Sequence, residues 1–321
     1  MKRIGLVGAT GAVGLEVQKL IKQLKLPYKE LRLLASQKSG GVETTCGFVQ
    51  ELIPDSFNGL DVAIFSAGAD ISQKFAPEAV KRGCIVIDNS AAFRQKPEVP
   101  LIIPEINASD LKNHRGIISN PNCCTTIALM ALAPLHQAFG LSRFFASTYQ
   151  AVSGTGLAAI KELDSQIRAW SANQELIPSV YPAPIAFNVI PKVEDFSESG
   201  YTQEENKMLF ESRKILHLPQ LSVSSTCVRV PVFRCHSIAI NAEFEKPIDL
   251  PTAKKALLDF SGLEFLENQL PMPSLSSEKT SCFVGRLRKD SAFCNGLSLW
   301  VVGDQLWKGA ALNALQILSL L

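Results

Sequence analysis

The feature that most restricts the fold is a glycine-rich turn close to the N-terminus. The segment GATGAVG places Gly8, Gly11 and Gly14 between an apolar run, RIGLVG, and a segment with helical spacing, AVGLEVQKLIKQL. Glycine allows the backbone to turn tightly and to approach a pyrophosphate, and the helix N-terminus offers free N–H groups and a positive dipole end. Strand, turn and helix occur in the required order, which predicts nucleotide binding. The alternative is a tight turn that merely requires small residues.

The first half of the chain alternates apolar strands with helical segments. ELRLLAS, DVAIFSAG and CIVIDNS are typical of strands, and QKFAPEAVKRG, between two of them, is typical of a helix. This rhythm predicts a Rossmann-type, doubly wound parallel sheet. After NPNCC the pattern changes to a long apolar helix and then to further strand-like runs. The second half therefore predicts an α+β domain with a mixed sheet.

Composition excludes several classes of protein. The chain has 321 residues, enough for two domains, and a net charge of +2, too small to indicate a nucleic-acid or membrane-surface partner. No apolar run approaches the ~18 residues of a membrane span. Eight cysteines without CxxC spacing and only four histidines argue against a zinc cluster, so no metal site is predicted. The start of the chain does not resemble a signal peptide, and we expect reduced thiols in a cytoplasm.

The end of the second strand bears on which nucleotide is bound. An NAD site usually has Asp or Glu there, about 20 residues after the glycine turn, to hold the ribose 2′-hydroxyl. This chain has ASQKS instead, in which Ser36, Lys38 and Ser39 could donate to a 2′-phosphate and no carboxylate repels it. The segment favours NADP over NAD, with a solvated polar loop as the alternative.

Two adjacent cysteines follow Asn-Pro-Asn in the segment SNPNCCTT. Cys123 lies at the expected start of a helix, which stabilises a thiolate. Beside a nicotinamide, a thiolate suggests covalent aldehyde chemistry through a thiohemiacetal or thioester. From the thiols alone, two small apolar side chains packed at a helix start explain the segment equally well. One helical residue turns the side-chain direction by about 100°, so we expect Cys124 to face a neighbouring wall and to serve packing only.

A partner base must come from elsewhere in the chain, and the four histidines, His114, His136, His217 and His236, are the candidates. His136 lies on an apolar helix and is expected to be a core residue, whereas His236 lies in a segment that also carries Arg229 and Arg234. Strict alternation along one strand would put Arg229 and His236 on opposite faces. Pro231 interrupts a regular ladder, so a bulge or bend could bring both to one site. The sequence permits a shared site without establishing it.

The ordered motifs resemble those of bacterial aspartate-β-semialdehyde dehydrogenases, almost from end to end. They are GATGAVG, DNSAAFR, VPLIIPEIN, NPNC, YQAVSGTG, IAFNVIPK, GYTQEENKM, TCVRVPVFRCHS, FVGRLRKD and LWVVGDQLWKGAALNALQ. The resemblance implies NADP-dependent reduction of 4-phospho-L-aspartate to the semialdehyde, in biosynthesis of lysine, diaminopimelate, threonine and methionine. It also implies a nucleotide domain of residues 1–122 and about 303–321, completed by the C-terminal helix, and a catalytic domain of residues 123–302 that forms a homodimer.

The resemblance also implies roles for individual residues. Cys123 would form the acyl thioester, His236 would be the acid–base group and Gln150 would orient the intermediate. The substrate contacts would be Arg94 and Lys207 to phosphate, Arg229 to the carboxylate, Glu204 to the ammonium group, and Asn122. The cofactor contacts would be Gly8, Thr10, Gly11, Ala12, Val13, Gly14, Ser36, Lys38, Ser39, Ser66, Ala67, Gly68 and Gln305. These residue types suit a substrate with two anionic ends and one cation.

Two other functions compete with this interpretation. A related acyl-phosphate reductase, such as N-acetyl-γ-glutamyl-phosphate reductase, shares the Cys–His chemistry, but Glu204 would have no role with an acetylated amine. A catalytically silent paralogue that only binds nucleotide is the other alternative. The presence of Cys123, Gln150 and His236 argues against it.

Overall fold

The computed structural model describes all residues, 1–321, and divides into two compact units. Unit 1 comprises Met1–Asn122 and Gly309–Leu321, and unit 2 comprises Cys123–Lys308. The chain returns to unit 1 later than the expected position of about 303. The reason is that the two residues after the last strand bond within unit 2. Asp304 accepts a hydrogen bond from Arg234 (2.6 Å), and Gln305 accepts one from the backbone N–H of Cys235 (2.8 Å).

Strands and helices are numbered separately in chain order. The strands are β1 (Lys2–Val7), β2 (Tyr28–Ala35), β3 (Glu43–Thr44), β4 (Gly47–Glu51), β5 (Val62–Phe65), β6 (Ile85–Asp88), β7 (Ile117–Ser119), β8 (Leu141–Gln150), β9 (Ser222–Arg229), β10 (His236–Phe244), β11 (Leu263–Leu266), β12 (Cys282–Lys289) and β13 (Gly296–Gly303). The helices are α1 (Ala12–Gln23), α2 (Ala69–Lys81), α3 (Pro104–Asn107), α4 (Cys123–Phe139), α5 (Leu157–Ser171), α6 (Gln203–Ile215), α7 (Leu250–Leu258), α8 (Pro273–Ser276) and α9 (Leu312–Leu320).

Unit 1 contains the predicted doubly wound sheet. Its strand order is β3-β4-β2-β1-β5-β6-β7, and every pair is parallel except β3–β4. All of β5 is buried, which explains its continuous apolar run, because such sheets are covered on both faces. From β1 the chain proceeds outward in one direction through β2 and in the other through β5. This switch point opens a crevice at the carboxyl ends of β1 and β5, the usual nucleotide position.

The C-terminal helix α9 belongs to unit 1. Its Asn313 donates a hydrogen bond to the carbonyl of Ile102 (2.9 Å), and its Gln316 donates one to Glu105 (2.8 Å). Most of α9 is buried, as expected for the apolar segment ALNALQILSL. No helix in the structure is both long enough and apolar enough to span a membrane.

Unit 2 contains the predicted mixed sheet, with strand order β11-β12-β13-β10-β8-β9. The pairs β8–β9 and β11–β12 are parallel, and the other pairs are antiparallel. Along β8, buried and exposed residues alternate, so that Phe144 and Gln150 face inward while Phe145 and Tyr149 face outward. The helix α4 is apolar on all sides and is almost completely buried. The fold prediction is therefore confirmed for both halves of the chain.

Candidate active site

The pairing of three strands in unit 2 brings together two predicted catalytic side chains and one predicted substrate contact. In the parallel pair β8–β9, Gln150 lies beside Arg229. In the antiparallel pair β8–β10, Tyr149 lies opposite Ser237, which places His236 beside Gln150 on the other side. All three side chains are buried. They form one row across the end of the sheet.

Arg229 and His236 do not lie on one strand, so alternation along a strand does not decide whether their side chains share a site. Arg229 ends β9 and His236 begins β10, and these strands lie on opposite sides of β8. The intervening residues 230–235 form no part of either strand. A bulge at Pro231 is not needed, because a crossover connection returns the chain to the same row.

Cys123 is the first residue of α4 and is half-buried. Its Sγ atom, the Sγ atom of Cys124 and a ring nitrogen of His236 lie within 4.8 Å of one another. The pKa of the Cys123 thiol lies well below its ordinary value, because the Cys124 thiol can donate a hydrogen bond to it and His236 favours the thiolate. Burial acts in the opposite direction without overcoming these interactions. The site therefore stabilises a thiolate at Cys123.

Cys124 lies closer to the Cys123 thiol than expected. It is fully buried, as predicted for a packing residue. However, its sulfur lies beside the Cys123 sulfur and does not face a separate wall. Adjacent Cα atoms are only 3.8 Å apart, so a rotation of about 100° does not separate two short side chains. Burial, together with the neighbouring Cys123 sulfur, raises the pKa of the Cys124 thiol well above its ordinary value, so Cys124 remains protonated and can donate.

The ring of His236 has one partner inside unit 2. Its Nδ1 atom accepts a hydrogen bond from the backbone N–H of Ala151 (3.0 Å), whereas its buried Nε2 atom has no partner. Cys123, Cys124 and His236 have the ligand types of a zinc site. A metal-bound histidine normally donates its other N–H to an acceptor, but Nδ1 here meets a donor. We therefore assign no metal to this cluster.

Arg229 is held by a hydrogen bond and keeps further N–H groups that can donate. Its Nη1 atom donates to the carbonyl of Ala151 (2.6 Å), while its buried Nε has no partner. A Cβ atom at Gly154 would lie 3.0 Å from Arg229 Nη1 and 3.1 Å from His236 Nε2. A side chain at position 154 would therefore crowd both functional groups. Gly154 is a site residue that the sequence prediction missed, although it lies in the motif YQAVSGTG.

Helix α6 carries two of the four predicted charged substrate contacts, Glu204 and Lys207. It begins with a capping box in which Thr202 and Glu205 bond each other's backbone N–H groups. Glu204 accepts a hydrogen bond from Gln150 (3.0 Å) and pairs with Lys207 (3.2 Å), as expected from their spacing on a helix. Lys207 also pairs with Glu194 (2.5 Å). Glu204 is thus joined directly to the row of Gln150, Arg229 and His236 through Gln150.

The glycine turn in unit 1 has a shape that only glycine permits. Gly8 has a φ of +84°, and a Cβ atom there would lie 2.3 Å from the carbonyl oxygen of Ser66. At Gly14 a Cβ atom would lie 2.1 Å from the carbonyl oxygen of Gly8. The following helix begins after Gly11 and has no side-chain cap. Its first N–H groups are thus available to a phosphate, and the turn fits a dinucleotide.

The other predicted cofactor residues are distributed over both units. In unit 1, Ser36, Lys38 and Ser39 lie in the turn after β2, where Thr10 contacts Ser39 (3.5 Å). Ala12 and Val13 begin α1, and Ser66, Ala67 and Gly68 follow β5. In unit 2, the buried Gln305 accepts from the backbone of Cys235 and donates to Ser153. Its amide keeps a second N–H group that can donate.

Arg94 and Asn122 lie in unit 1, and both are buried. Arg94 is anchored at the carboxyl ends of two neighbouring strands, β6 and β7. It donates to the carbonyl of Asn120 (2.9 Å) and to that of Asn89 (2.7 Å). These bonds hold the guanidinium at the edge of the sheet where ligands bind.

Comparison with known proteins agrees with this geometry. Models of the semialdehyde dehydrogenase NAD binding domain and dimerisation domain match residues 3–114 and 132–308. The chain is 44% identical to the aspartate-semialdehyde dehydrogenase of Aquifex aeolicus, over 99% of this chain and 97% of that protein. The chain belongs to the aspartate-semialdehyde dehydrogenase family. The resemblance inferred from the motifs is therefore confirmed.

Two further relatives support membership of the aspartate-semialdehyde dehydrogenase family. The enzyme of that name from Bacillus subtilis is 44% identical, over 98% of this chain and 95% of the relative. The crystal structure of aspartate semialdehyde dehydrogenase II from Vibrio cholerae, complexed with ASA, is 38% identical. It has a TM-score of 0.96 and covers 100% of this chain and 98% of the other. Membership thus extends to both units.

Asn89 is the second residue that the prediction missed. Both polar atoms of its amide are buried without a partner, although a buried amide normally forms hydrogen bonds. Its neighbour Asp88 is held by Ser72 (2.6 Å) and Ser90 (2.7 Å), so the segment is firmly placed. Asn89 follows β6 at the carboxyl edge of the sheet. The sequence signal was a polar residue directly after a buried strand, in the motif DNSAAFR.

Proposed function

We propose that the chain is an NADP-dependent aspartate-semialdehyde dehydrogenase. In the reductive direction it converts 4-phospho-L-aspartate into L-aspartate 4-semialdehyde and phosphate. The observation that carries the proposal is the stabilised thiolate of Cys123 beside the row of Gln150, His236 and Arg229. The names of the relatives and the ASA complex of the Vibrio cholerae protein support the same substrate.

Cys123 is the nucleophile of the proposed reaction. Its thiolate attacks the acyl carbon of the substrate, the C–S bond forms, and the C–O bond to phosphate breaks, leaving a thioester on Cys123. The cofactor, when bound, supplies the hydride that reduces this thioester. The C–S bond then breaks, which releases the aldehyde and restores the thiolate. The low pKa of Cys123 assists both formation of the thioester and its reduction, because a stable thiolate is also a good leaving group.

Charged groups of the two units match the remainder of the substrate. Arg229 offers Nε and further guanidinium N–H groups to the α-carboxylate, with which a planar fork pairs well. Glu204 is a buried carboxylate bonded to Gln150, suited to the α-ammonium group. Arg94 and Lys207 are the proposed phosphate contacts, with Asn122 as a further substrate contact. A free ammonium group is what distinguishes this substrate from an N-acetylated one.

Reduction of NADP by aspartate semialdehyde in the presence of phosphate tests the proposed function. We expect absorbance of the reduced cofactor to appear only when semialdehyde, NADP and phosphate are all present. Omitting phosphate is the control, because the thioester then has no acceptor and turnover stops. Turnover with N-acetylglutamate semialdehyde in place of aspartate semialdehyde would contradict the proposal.

Lys38 is proposed to favour NADP, because it is an exposed cation in the turn after β2. Lys38→Glu is expected to weaken NADP binding by at least about tenfold and NAD binding much less, since a carboxylate repels the 2′-phosphate. Calorimetric titration with both cofactors measures the two changes. Lys29→Glu makes the same charge change near the other end of β2 and is the matched control. Equal use of NADP and NAD by the unmodified protein would refute the preference.

Asn89 is proposed as a further cofactor contact, because its buried amide is unpartnered where nucleotides bind. Asn89→Ala is expected to raise the dissociation constant for NADP about three- to tenfold, which corresponds to one lost hydrogen bond. Calorimetric titration of the variant measures this constant. Asn58→Ala, at an exposed position of the same unit, is the control. Unchanged affinity in the Asn89 variant would exclude the contact.

The proposed assembly is a homodimer formed by unit 2. The exposed face of its sheet carries Phe145 stacked on Phe293 (5.8 Å between ring centroids) and Tyr149 against Trp300 (5.2 Å). Such an apolar patch is typical of a protein interface. The match to a dimerisation domain supports a second copy of this chain as the partner. We further propose a cytoplasmic role in lysine, diaminopimelate, threonine and methionine biosynthesis, which suits eight free thiols.

A further inference from the structure

We propose that Glu162 and Gln166 of helix α5 are positioning residues for the substrate site, because they hold the segment 177–190 against the edge strand that carries Arg229. Neither residue is among the contacts predicted from the sequence. The inference rests on the proposed role of Arg229 as the carboxylate contact. The hold on Arg229 itself does not depend on that role and can be measured in the free protein.

Helix α5 has a buried face that is apolar except at two positions. The buried residues are Ala159, Glu162, Leu163 and Gln166, whose spacing of three and four is that of one helix face. Glu162 is only 3% exposed and Gln166 only 2%. A buried carboxylate is costly unless it forms hydrogen bonds, so Glu162 requires partners. These partners come from the segment 177–190.

Glu162 supplies acceptors to the first part of this segment, which contains neither helix nor strand. Its Oε2 atom accepts hydrogen bonds from the backbone N–H of Ser179 (2.9 Å), from the Ser179 hydroxyl (2.9 Å) and from the backbone N–H of Val180. Its Oε1 atom accepts one from Gln166 (3.1 Å). Both oxygens are thus used. A glutamine has only one side-chain oxygen and could not accept all of these bonds.

Gln166 binds the second part of the segment in the same way. Its side-chain oxygen accepts hydrogen bonds from the backbone N–H groups of Ile185 and Ala186 (both 2.9 Å). Its amide nitrogen donates one to the carbonyl of Ile177 (3.2 Å). Ile185, Ala186 and Ile190 lie in one buried apolar cluster with residues of α5. Backbone groups buried there would be costly without an acceptor, so Gln166 stabilises this path of the chain.

The segment ends beside the strand that carries the proposed carboxylate contact. β9 is the edge strand of its sheet, so Arg229 has a strand on one side only, where it lies beside Gln150. Ile190 covers the other side. Its N–H donates to the carbonyl of Arg229 (3.0 Å), and the N–H of Arg229 donates to the carbonyl of Ile190 (2.9 Å). The backbone of Arg229 is therefore fixed partly by the segment 177–190.

Tyr181, in the middle of the segment, lies near the side chain of Arg229. Its hydroxyl donates to Thr155 (3.0 Å), which directly follows Gly154, the residue that packs against Arg229 and His236. Burial raises the pKa of the Tyr181 phenol, and the positive charge of Arg229 acts against that rise. The segment thus lies close to the guanidinium as well as to the backbone of Arg229.

A double-mutant cycle with Arg229 tests whether Glu162 acts through it. Glu162→Ala alone is expected to lower kcat/KM for aspartate semialdehyde about tenfold, comparable with the loss of one hydrogen bond to a charged group. In the Arg229→Leu background the same change should cost less than about twofold, because the carboxylate contact is already absent. Glu162→Gln keeps one oxygen and should recover at least about threefold of the loss. Steady-state rates at saturating NADP and phosphate measure these effects.

Asp164→Ala is the matched control for this cycle. It removes a carboxylate from the exposed face of the same helix, where Asp164 pairs with Arg168 (2.8 Å), and should leave kcat/KM unchanged. Equal losses from Glu162→Ala in both backgrounds would show a general structural effect and would overturn the proposal, as would a normal kcat/KM. If Glu162→Ala does not fold, Gln166→Ala takes its place with the same expected outcomes.

Hydrogen exchange in the free protein tests the hold on Arg229 without turnover, so failure of this inference is distinguishable from failure of the proposed function. Glu162→Ala should speed exchange of the Ile190 and Arg229 amides at least about tenfold, because the segment opens more easily. Exchange in unit 1 should be unchanged, and Asp164→Ala should change neither amide. Unaltered rates at Ile190 and Arg229 in the Glu162 variant would overturn the proposal.

Discussion

Replacement of Cys123 by alanine is expected to abolish both semialdehyde oxidation and acyl-phosphate reduction, because the other thiol of the site, Cys124, is buried and its pKa is raised by that burial. Cys124→Ser is expected to keep most of the activity, since a hydroxyl can still donate a hydrogen bond to the Cys123 sulfur. Steady-state rates in both directions measure these effects. Brief exposure to limiting iodoacetamide, followed by mass spectrometry, should locate the label on Cys123. Substrate should protect that thiol.

Cys124→Ala separates the packing of this side chain from its hydrogen bond. Removing the donor is expected to raise the pKa of Cys123, since that hydrogen bond is the main cause of its low value. The alkylation rate of Cys123 should then fall most at low pH, and Cys124→Ser is the matched control. If the label and the loss of activity both fall on Cys124 instead, the assignment of the nucleophile is wrong.

The second large effect is expected at Arg229. Arg229→Leu should cost at least about 3 kcal/mol of transition-state stabilisation, or more than a hundredfold in kcat/KM, because the substrate carboxylate loses a charged partner in a desolvated site. NADP affinity should remain, since Arg229 is not one of the proposed cofactor contacts and the glycine turn lies in the other unit. Steady-state kinetics with aspartate semialdehyde and calorimetry with NADP measure the two properties.

Arg229→Lys is the control that keeps the positive charge of the side chain and changes its shape. A lysine keeps the positive charge but loses the planar fork and the bond from Nη1 to the carbonyl of Ala151. Its kcat/KM should lie between those of the unmodified protein and Arg229→Leu. Near-normal turnover of the leucine variant would show that Arg229 does not bind the substrate.

Local sequence patterns were sufficient for the fold because each unit repeats a simple periodicity. The glycine turn at Gly8 and Gly14 could be recognised because the close approach of the backbone there leaves no room for a Cβ atom. The buried strands of unit 1 and the alternating β8 of unit 2 have the two periodicities expected of parallel and antiparallel sheets. These properties depend on neighbours in sequence and can be read from it.

The row of Gln150, Arg229 and His236 could not be derived in the same way. It depends on which distant strands pair, and on a crossover that places β9 and β10 on either side of β8. No local pattern specifies that order, and the resemblance alone indicated a common site. The unpartnered amide of Asn89 is equally a tertiary property, because its burial arises from packing at the sheet edge. The proximity of the two cysteine sulfurs depended on rotamers, which the sequence does not specify.

The pairing of β8 with β9 also fixes one distance in the proposed substrate site. Gln150 and Arg229 lie on hydrogen-bonded neighbours, whose spacing of about 4.8 Å is a general property of β-sheets. Substitutions do not stretch that spacing, so the distance between the amide proposed to orient the intermediate and the carboxylate anchor is adjusted through side-chain reach. Evolution toward a substrate one methylene longer would have to shorten the group at Arg229 or relocate the anchor to another strand. The spacing of the paired strands would remain unchanged, while substrate length would be selected through the side chains at their ends.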